Sequence, residues 1–542
     1  MSRSRHSIML PIASIVAAGF ALAVVSVVVP REAQAQPVSS QTAAAAWWHH
    51  VQVLADDSLK GRDTGTPGHE SAARYVAEQF RLAGLTPSGT DGWFQRVGFV
   101  EMRLDTAHLD LALREEGSWS SLTFGRDLRI TPRLATGNVE GQLVFVGYGL
   151  SLPQAGVDDL KGLDLRGKIV VHVNGVPAGL SSTLQAHGTR ARWIELEKAG
   201  AVGIIAIGIG ANGAWNEGGG APITVALADT TLDDARGQRL AATINPALAT
   251  RLFAGSGFIW DSVAAIAKRG GALPTGVLKV SLRATLPTIR RALSSPNVIG
   301  IIPGTDARLR NEVVVFSAHT DHVGTFKGPI LTGDSIFNGA MDNASGVATL
   351  IETARLAVQR GGNKRTLAFV AVTAEEKGLL GSRYFAAHPS LSSGAVVANL
   401  NTDMFLPLFA MKGVFAYGYE ESDLADDLDS VLVSRGLSVL PDPEPQENRF
   451  VRSDQYSFIR QGTPALAFKL GYRVGTPEEK TFTGWVRERY HKMNDDLAQP
   501  IDFDAAAAFN EFYADLALRV ANRATRPAWR ANSFFARPVI TP

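Results

Sequence analysis

The chain has 542 residues, of which 45% are hydrophobic and 19% are charged, and its formal net charge at pH 7 is +1. A chain of this length is expected to fold into two or three domains. Charges this evenly balanced exclude the strongly basic surface that nucleic-acid binding requires. The chain contains no cysteine, which excludes disulfide bonds and thiolate metal ligands.

The first 35 residues have the pattern of a secretory signal peptide. A basic start at 3–6 precedes a mostly apolar stretch at 8–29, and an A-x-A cleavage site ends at Ala35. We expect cleavage near Ala35 and a mature bacterial protein in the periplasm or outside the cell, with no membrane span. The alternative is an uncleaved anchor, since the apolar stretch is long enough to cross a bilayer. Pro11 within that stretch and the A-x-A after it favour cleavage.

The next part of the chain predicts two helices at 43–85, the second ending at Gly84, and strands at 97–113 and 122–130. The composition then changes. Residues 139–285 are rich in Gly, Ala and Val and contain several short apolar β runs. This stretch is predicted to be a small β-rich domain inserted into a larger one.

Three motifs in this stretch resemble the protease-associated (PA) domain. They are GYG at 147–149, DLRGKIVV at 164–171 and KAGAVGIIAI at 198–207. The stretch carries no cluster of potential metal ligands. We therefore interpret it as a non-catalytic lid or a substrate-guiding insertion.

The main fold resumes near 286. Apolar runs at 312–318, 366–373, 395–400 and 465–470 alternate with amphipathic helical segments, which is the pattern of an α/β domain. Residues 36–138 and 286–542 are therefore assigned to one domain. Its predicted architecture is a mixed, twisted β-sheet flanked by helices.

Acidic and histidine residues follow one predicted strand after another. These residues are His319, Asp321, Asp342, Glu375, Glu376, Asp403 and His491. Open α/β sheets place their active sites at such strand ends, and adjacent carboxylates are mutually unfavourable unless a cation separates them. Two histidines and three carboxylates suit Zn²⁺ and, less well, Mn²⁺ or Co²⁺. Five ligands exceed the four that one zinc prefers, so two metals sharing a carboxylate use them naturally.

Five motifs in this part of the chain resemble the ordered motifs of peptidase family M28, whose members are co-catalytic zinc aminopeptidases with the zinc exopeptidase fold. The motifs are AHTDHVG at 318–324, NGAMDNASGVA at 338–348, TAEEKGLLGS at 373–382, NLNTDM at 399–404 and YHKMNDD at 490–496. GRDTGTPG at 61–68 adds to the resemblance, and a PA insertion is common in this family.

The resemblance implies two Zn²⁺ per chain and a role for each residue. His319 and Asp403 would hold one zinc, Glu376 and His491 the other, and Asp342 would bridge them. Glu375 would be the general base, and Asp321 would orient His319, an arrangement that is physically sensible. Two details depart from this pattern or compete with it: Met341 stands where relatives often carry a second Asp, and His322 is a further histidine. The H-x-D spacing favours His319 as the ligand.

A second segment, RSDQYSF at 452–458, resembles the family's S-D-H-x-x-F motif, with Gln455 in place of His. The resemblance implies a substrate-binding role for four of its side chains, and the alternative is a plain helix cap. The four are Arg452, Asp454, Tyr456 and Phe458.

The activity implied by the resemblance is hydrolysis of N-terminal peptide bonds, with peptides that have a free N-terminus as substrates. A carboxypeptidase or dipeptidase on the same scaffold is the first alternative, with Arg383 and Arg452 as candidates to bind a substrate carboxylate. Glutaminyl cyclase, which uses a single zinc, fits less well because both ligand sets are present. A non-catalytic, receptor-like relative is the alternative from another class, and the presence of Glu375 argues against it.

Overall fold

The structure is a computed structural model that describes residues 40–210, 214–215, 221–328, 333–391 and 394–536. The predicted signal peptide lies outside the described residues and stays a prediction. Among the residues described, no helix combines the length and the apolar character needed to cross a membrane.

Helices and strands alternate through most of this part of the chain. The α-helices are α1 (Ser40–Leu54), α2 (Pro67–Ala83), α3 (Ser182–Lys198), α4 (Ala249–Phe253), α5 (Trp260–Lys268), α6 (Ser345–Arg360), α7 (Leu380–Ala387), α8 (Leu424–Ser434), α9 (Gln455–Arg460), α10 (Pro477–Arg489) and α11 (Phe503–Asn522). The strands are β1 (Thr86–Pro87), β2 (Phe94–Leu104), β3 (Asp110–Glu115), β4 (Ser118–Ser121), β5 (Leu128–Ile130), β6 (Val139–Phe145), β7 (Ser151–Leu152), β8 (Val157–Asp158), β9 (Ile169–Val173), β10 (Gly203–Ile207), β11 (Thr224–Leu227), β12 (Leu240–Ile244), β13 (Gly276–Thr285), β14 (Thr288–Ile302), β15 (Glu312–His319), β16 (Thr366–Val372), β17 (Ala395–Thr402), β18 (Val414–Tyr417) and β19 (Ala465–Leu470).

Helix α2 shows how local sequence sets an element's bounds. Pro67 occupies its first turn, where the missing N–H costs nothing. The Thr66 hydroxyl accepts a hydrogen bond from the His69 N–H and so caps the start. The helix ends at Gly84, whose φ of 90° is left-handed and favours glycine. The end predicted from the sequence is therefore where the structure has it.

The larger sheet has the strand order β11-β2-β14-β16-β15-β17-β19-β18, with β1 paired to β14. Its central strands β16, β15, β17 and β19 are parallel, whereas β14 and β18 join them antiparallel. The central strands are almost entirely buried and apolar, as expected of strands covered by helices on both faces. The predicted mixed α/β fold is confirmed.

The two faces of this sheet are covered by different helices, because side chains alternate along a strand. On one face, Phe316 and Phe369 pack in a core with α1, α2, α6 and α11. On the other face, Val315 and Val370 pack with Phe385 of α7 and Phe458 of α9. The carboxyl ends of the parallel strands are thereby held at one rigid edge.

A second sheet has the order β4-β3-β13-β6-β9-β10-β12-β5. Its strands begin at Asp110 and so extend beyond the predicted insertion at 139–285. The reason is that β13 pairs on one side with β6 and on the other with β3. Strand β11, from within the predicted insertion, pairs with β2 of the larger sheet. The resemblance of this region to a PA domain stays a prediction.

Candidate metal centre

Three parallel strands deliver charged side chains to the same edge of the larger sheet. His319 is the last residue of β15 and is paired with Val372, the last residue of β16. Glu375 and Glu376 follow β16 by a few residues, and Asp403 directly follows β17. Asp342 lies in the segment that leads into α6. The strand ends therefore bring together residues that are up to 84 positions apart in sequence. The hydrogen bond between Ser317 and Asn401, on the same two strands, joins residues at that separation.

His319 is buried and faces two carboxylates. Its Nε2 lies 3.2 Å from Asp342 Oδ1 and 3.6 Å from Asp403 Oδ1. Its Nδ1 lies 3.1 Å from the backbone oxygen of Asp321. A proton on Nδ1 donated to that oxygen leaves Nε2 free to bind a metal. His319, Asp342 and Asp403 form one group of potential ligands whose donor atoms lie within 4.8 Å of one another.

The carboxylate of Asp321 has other partners than the one expected. Its Oδ1 is 4.0 Å from His319 Nδ1, so the backbone oxygen and not the carboxylate makes the orienting contact. The carboxylate instead accepts hydrogen bonds from the N–H groups of Glu375 and Glu376. It also accepts one from the Thr64 hydroxyl. Asp321 therefore fixes the loop that carries the two glutamates.

Asp342 also belongs to a second group of potential ligands. His491 Nε2 lies 3.1 Å from Asp342 Oδ2 and 3.2 Å from Glu376 Oε1. The two oxygens of Asp342 thus face different histidines, one toward His319 and one toward His491. This is the arrangement that a bridging carboxylate requires.

His322 is the fourth member of the second group, although the spacing in the sequence favoured His319 over it. Its Nδ1 lies 2.8 Å from Glu376 Oε1 and 3.8 Å from Asp342 Oδ2. The side chain is fully buried, and its Nε2 has no hydrogen-bond partner within the described part of the chain. Sequence reasoning gave His322 no role. The available signal was its place in AHTDHVG, three residues after His319.

Glu375 differs from Glu376 in having no side-chain hydrogen bond or ion pair in the part of the chain that the structure describes. Its side chain lines the cavity beside the cluster. Burial raises the pKa of Glu375 well above its ordinary value; the negative charges of Glu376 and Asp403 act in the same direction and His319 opposes them. A carboxyl group with a raised pKa and no fixed partner can accept a proton and release it again.

The electrostatics of the cluster require positive charge. Burial would raise the pKa of Asp342, but the imidazoles of His322 and His319 hold it well below its ordinary value. Burial likewise opposes a charged His491, yet Asp342 and Glu376 raise its pKa to about 10. The carboxylates thus favour the protonated imidazoles of His319 and His491, and a divalent cation would supply that positive charge directly. Asp403 Oδ1 is buried without a hydrogen bond among the described residues, as expected of a metal-ligand oxygen.

Two residues that sequence reasoning did not single out support the cluster from behind. The Asp495 carboxylate accepts hydrogen bonds from the N–H groups of Met341 and Asp342. Arg62 is buried and donates to the backbone oxygens of Thr320 and Gly339. Both lie in motifs that carried the family resemblance, YHKMNDD and GRDTGTPG, which was the only signal for them.

A cavity of about 330 Å³ opens beside the cluster. His319, Asp342, Glu375, Asp403 and His491 are among the residues that line it. Its remaining wall combines the apolar residues Met404, Leu406, Phe468, Phe482, Val486 and Tyr490 with the charged residues Glu444, Glu447, Arg449, Arg452 and Lys469. The cavity thus offers apolar surface for an amino-acid side chain next to the charged cluster.

The four residues predicted to bind substrate have different positions. Arg452 lines the cavity and makes an ion pair of 2.8 Å with Glu447. Asp454 is fully buried, and burial raises its pKa to about 7. Tyr456 is buried and points toward α3, where its hydroxyl meets His187. Phe458 packs in the core against Phe385. Of the four, Arg452 alone is among the residues that line the cavity.

Comparison with known proteins gives a family for this part of the chain. Residues 297–517, which include every residue of the cluster, match the description of peptidase family M28. This segment belongs to family M28. The family predicted from the five motifs is therefore confirmed.

Individual relatives match shorter stretches of the chain, and one solved structure aligns over most of it. Leucine aminopeptidase 1 of Coccidioides posadasii is 35% identical over 113 residues, which are 20% of this chain and 27% of that protein. Leucine aminopeptidase 1 of Aspergillus fumigatus is 28% identical over 152 residues, or 27% of this chain and 35% of that protein. The chain thus spans about a quarter to a third of the length of these relatives. The aminopeptidase from Aneurinibacillus sp. strain AM-1 aligns with a TM-score of 0.48 and 21% identity, over 87% of this chain and 92% of that one.

Proposed function

We propose that this chain is a zinc-dependent aminopeptidase that removes the N-terminal residue from peptides. The observation that carries the proposal is the pair of donor groups that share Asp342, with Glu375 beside them at the wall of a cavity. The names of the matched relatives support the same activity, as leucine aminopeptidases.

The donor set fits two Zn²⁺ ions, because imidazole nitrogen and carboxylate oxygen are common zinc ligands. His319 and Asp403 would hold one ion and Glu376 and His491 the other, with Asp342 between them. Once bound, such a pair of ions polarises the scissile carbonyl and makes water more acidic, as in other two-metal hydrolases. His322 lies close enough to Glu376 to orient it through a hydrogen bond.

Glu375 is the group in this chain that is placed to move a proton. It takes a proton from the attacking water as the new C–O bond forms at the scissile carbonyl. It then passes that proton to the leaving nitrogen as the C–N bond breaks. Since its carboxylate has no described partner to release first, it can approach the water without breaking a contact.

The cavity also explains why the substrate would be cut at its N-terminus. Its wall includes the apolar residues Met404 and Phe482, against which the first side chain would pack. The ammonium group of the first residue would lie against the carboxylates of the cluster. Arg383 and Arg452 do not support the alternative of a carboxypeptidase, because each already has an acidic partner. Arg383 pairs with Asp234 at 2.8 Å, and Arg452 pairs with Glu447.

The test uses the purified chain from residue 36 onward. We expect about two zinc ions per chain by elemental analysis, hydrolysis of aminoacyl anilides, and no hydrolysis of the same peptides when the N-terminus is acetylated. Chelation should abolish activity and added zinc should restore it. Cleavage of acetylated peptides from the C-terminus would contradict the proposal. Full activity with one tightly bound metal would contradict the bridging role of Asp342.

A further inference from the structure

Helix α3 lies in the region predicted to be the PA insertion. It contacts α9, which belongs to the domain that carries the metal-ligand cluster. The Tyr456 hydroxyl lies 3.1 Å from His187 Nδ1. Burial lowers the pKa of His187 to about 4, so at neutral pH its imidazole is uncharged and accepts the hydrogen bond. The Arg460 guanidinium meets both oxygens of Asp234 at 2.7 and 2.9 Å. The first contact holds one face of α3 against α9, and the second holds the loop that contains Asp234 against the same helix.

Arg190 follows His187 by three residues and so projects from the same face of α3. Its guanidinium lies 5.4 Å from the centre of the Tyr456 ring, a distance at which a cation is attracted to the ring face. Within the described residues its side chain has no hydrogen bond and no ion pair. The arginines around it differ in this respect, since Arg383 and Arg460 both bind Asp234.

The position of Arg190 relates it to the active site. It lines a groove of about 370 Å³ that Glu447 and Arg452 also line, and these two residues belong to the wall of the active-site cavity as well. Arg190 itself is exposed at this groove.

We propose that Arg190 binds a carboxylate of the substrate on the leaving-group side of the scissile bond. This inference rests on the proposed aminopeptidase function and gives its substrate class as short peptides that carry a carboxylate there. With the first side chain in the cavity, the remainder of a peptide would pass Arg452 and enter the groove. A guanidinium without an acidic partner, already held by a ring, matches a carboxylate with two parallel hydrogen bonds.

Two sources can supply that carboxylate, the C-terminus of a dipeptide or an acidic side chain at the second residue. The experiment compares kcat/KM for Leu-Ala, its C-terminal amide Leu-Ala-NH₂, and Leu-Asp-NH₂. We expect the wild-type, zinc-loaded enzyme to prefer Leu-Ala over its amide on the order of 10- to 100-fold, mostly through KM, as the loss of a charge-assisted hydrogen-bonded pair predicts. If Leu-Asp-NH₂ is cleaved about as well as Leu-Ala, the side chain can replace the C-terminus. If it is cleaved no better than Leu-Ala-NH₂, the C-terminus is the source, and either result supports the proposal.

Arg190→Gln should reduce the preference for the free acid to near one, and Arg190→Lys should retain part of it. Lys198→Gln is the control, because it removes one positive charge from the other end of the same helix and should leave the preference as it is in the wild type. Tyr456→Leu removes the ring that holds the guanidinium and should also weaken the preference.

Equal kcat/KM for Leu-Ala, Leu-Ala-NH₂ and Leu-Asp-NH₂ in the wild type would overturn the role of Arg190, as would an unchanged preference in Arg190→Gln. The failure of the aminopeptidase function itself has a different signature, the absence of hydrolysis of any of the three peptides and of leucyl anilide. Where Arg190→Gln does not fold, the comparison of Arg190→Lys with the wild type tests the residue.

Discussion

The substitution Glu375→Gln distinguishes the proposed roles of Glu375 and Glu376 more clearly than any other substitution. Gln has the shape of Glu but cannot accept a proton. Glu375 has no side-chain partner among the described residues, so the substitution breaks no observed contact and replaces a buried ionisable carboxyl with a neutral amide. We expect the free energy of unfolding to stay within about 0.5 kcal/mol of the wild type or to rise.

The effect on catalysis should be large. General base catalysis contributes on the order of 10²–10⁴-fold to a rate, which corresponds to about 3 to 5 kcal/mol in activation free energy. The value of kcat for Glu375→Gln should fall by that factor while the zinc content stays at the wild-type level. Glu376 instead faces His322 at 2.8 Å and His491 at 3.2 Å. Its change to Gln should therefore lower zinc content.

The assay measures kcat at saturating aminoacyl anilide, zinc content by elemental analysis and thermal unfolding, for both variants side by side. If Glu375→Gln loses zinc and Glu376→Gln keeps it, the roles of the two residues are reversed. If Glu375→Gln retains near-normal kcat with both metals bound, Glu375 is not the base, and the reasoning from its lack of partners is refuted.

Three further predictions concern residues around the site and in the core. Asp495→Asn weakens the hold on the N–H groups of Met341 and Asp342, so zinc affinity by competition with a chelator should fall on the order of 10- to 100-fold; unchanged affinity would contradict this. His69 is buried and its pKa is lowered to about 3 by burial, so the folded state binds fewer protons than the unfolded state between pH 6.5 and 3. Its contribution to the free energy of unfolding is present above pH 6.5 and is lost as pH falls, by up to about 1.4 kcal/mol per pH unit. Urea unfolding at pH 7 and at pH 5 should therefore show that His69→Gln loses less stability between these two values than the wild type does. An equal loss in the two proteins would contradict this prediction. Arg365 is buried, pairs with Glu312 at 2.7 Å and donates to the Arg523 backbone oxygen, so Arg365→Met should lower the free energy of unfolding by roughly 3 kcal/mol; a change below about 0.5 kcal/mol would show that these contacts contribute little.

The sequence by itself determined the fold class and the edge of the sheet where the site lies. The strands predicted at 312–318 and 366–373 match β15 and β16 closely, because a run of buried apolar residues between turn signals admits few other structures. Charged residues directly after such strands must lie at one edge when the strands are parallel. His319, Glu375 and Asp403 could therefore be grouped from the sequence before any distance was known.

Only the tertiary structure decided which atoms face one another. His322 adjoins Glu376, the Asp321 carboxylate bonds to the loop of Glu375 and not to His319, and β3 joins the second sheet although it precedes the predicted insertion. The pairing of His187 with Tyr456, which places Arg190 near the active site, joins residues 269 positions apart. Periodicity and local motifs report on neighbours within a few residues, whereas contacts at such separations depend on strand register and side-chain direction, which are set when the elements pack.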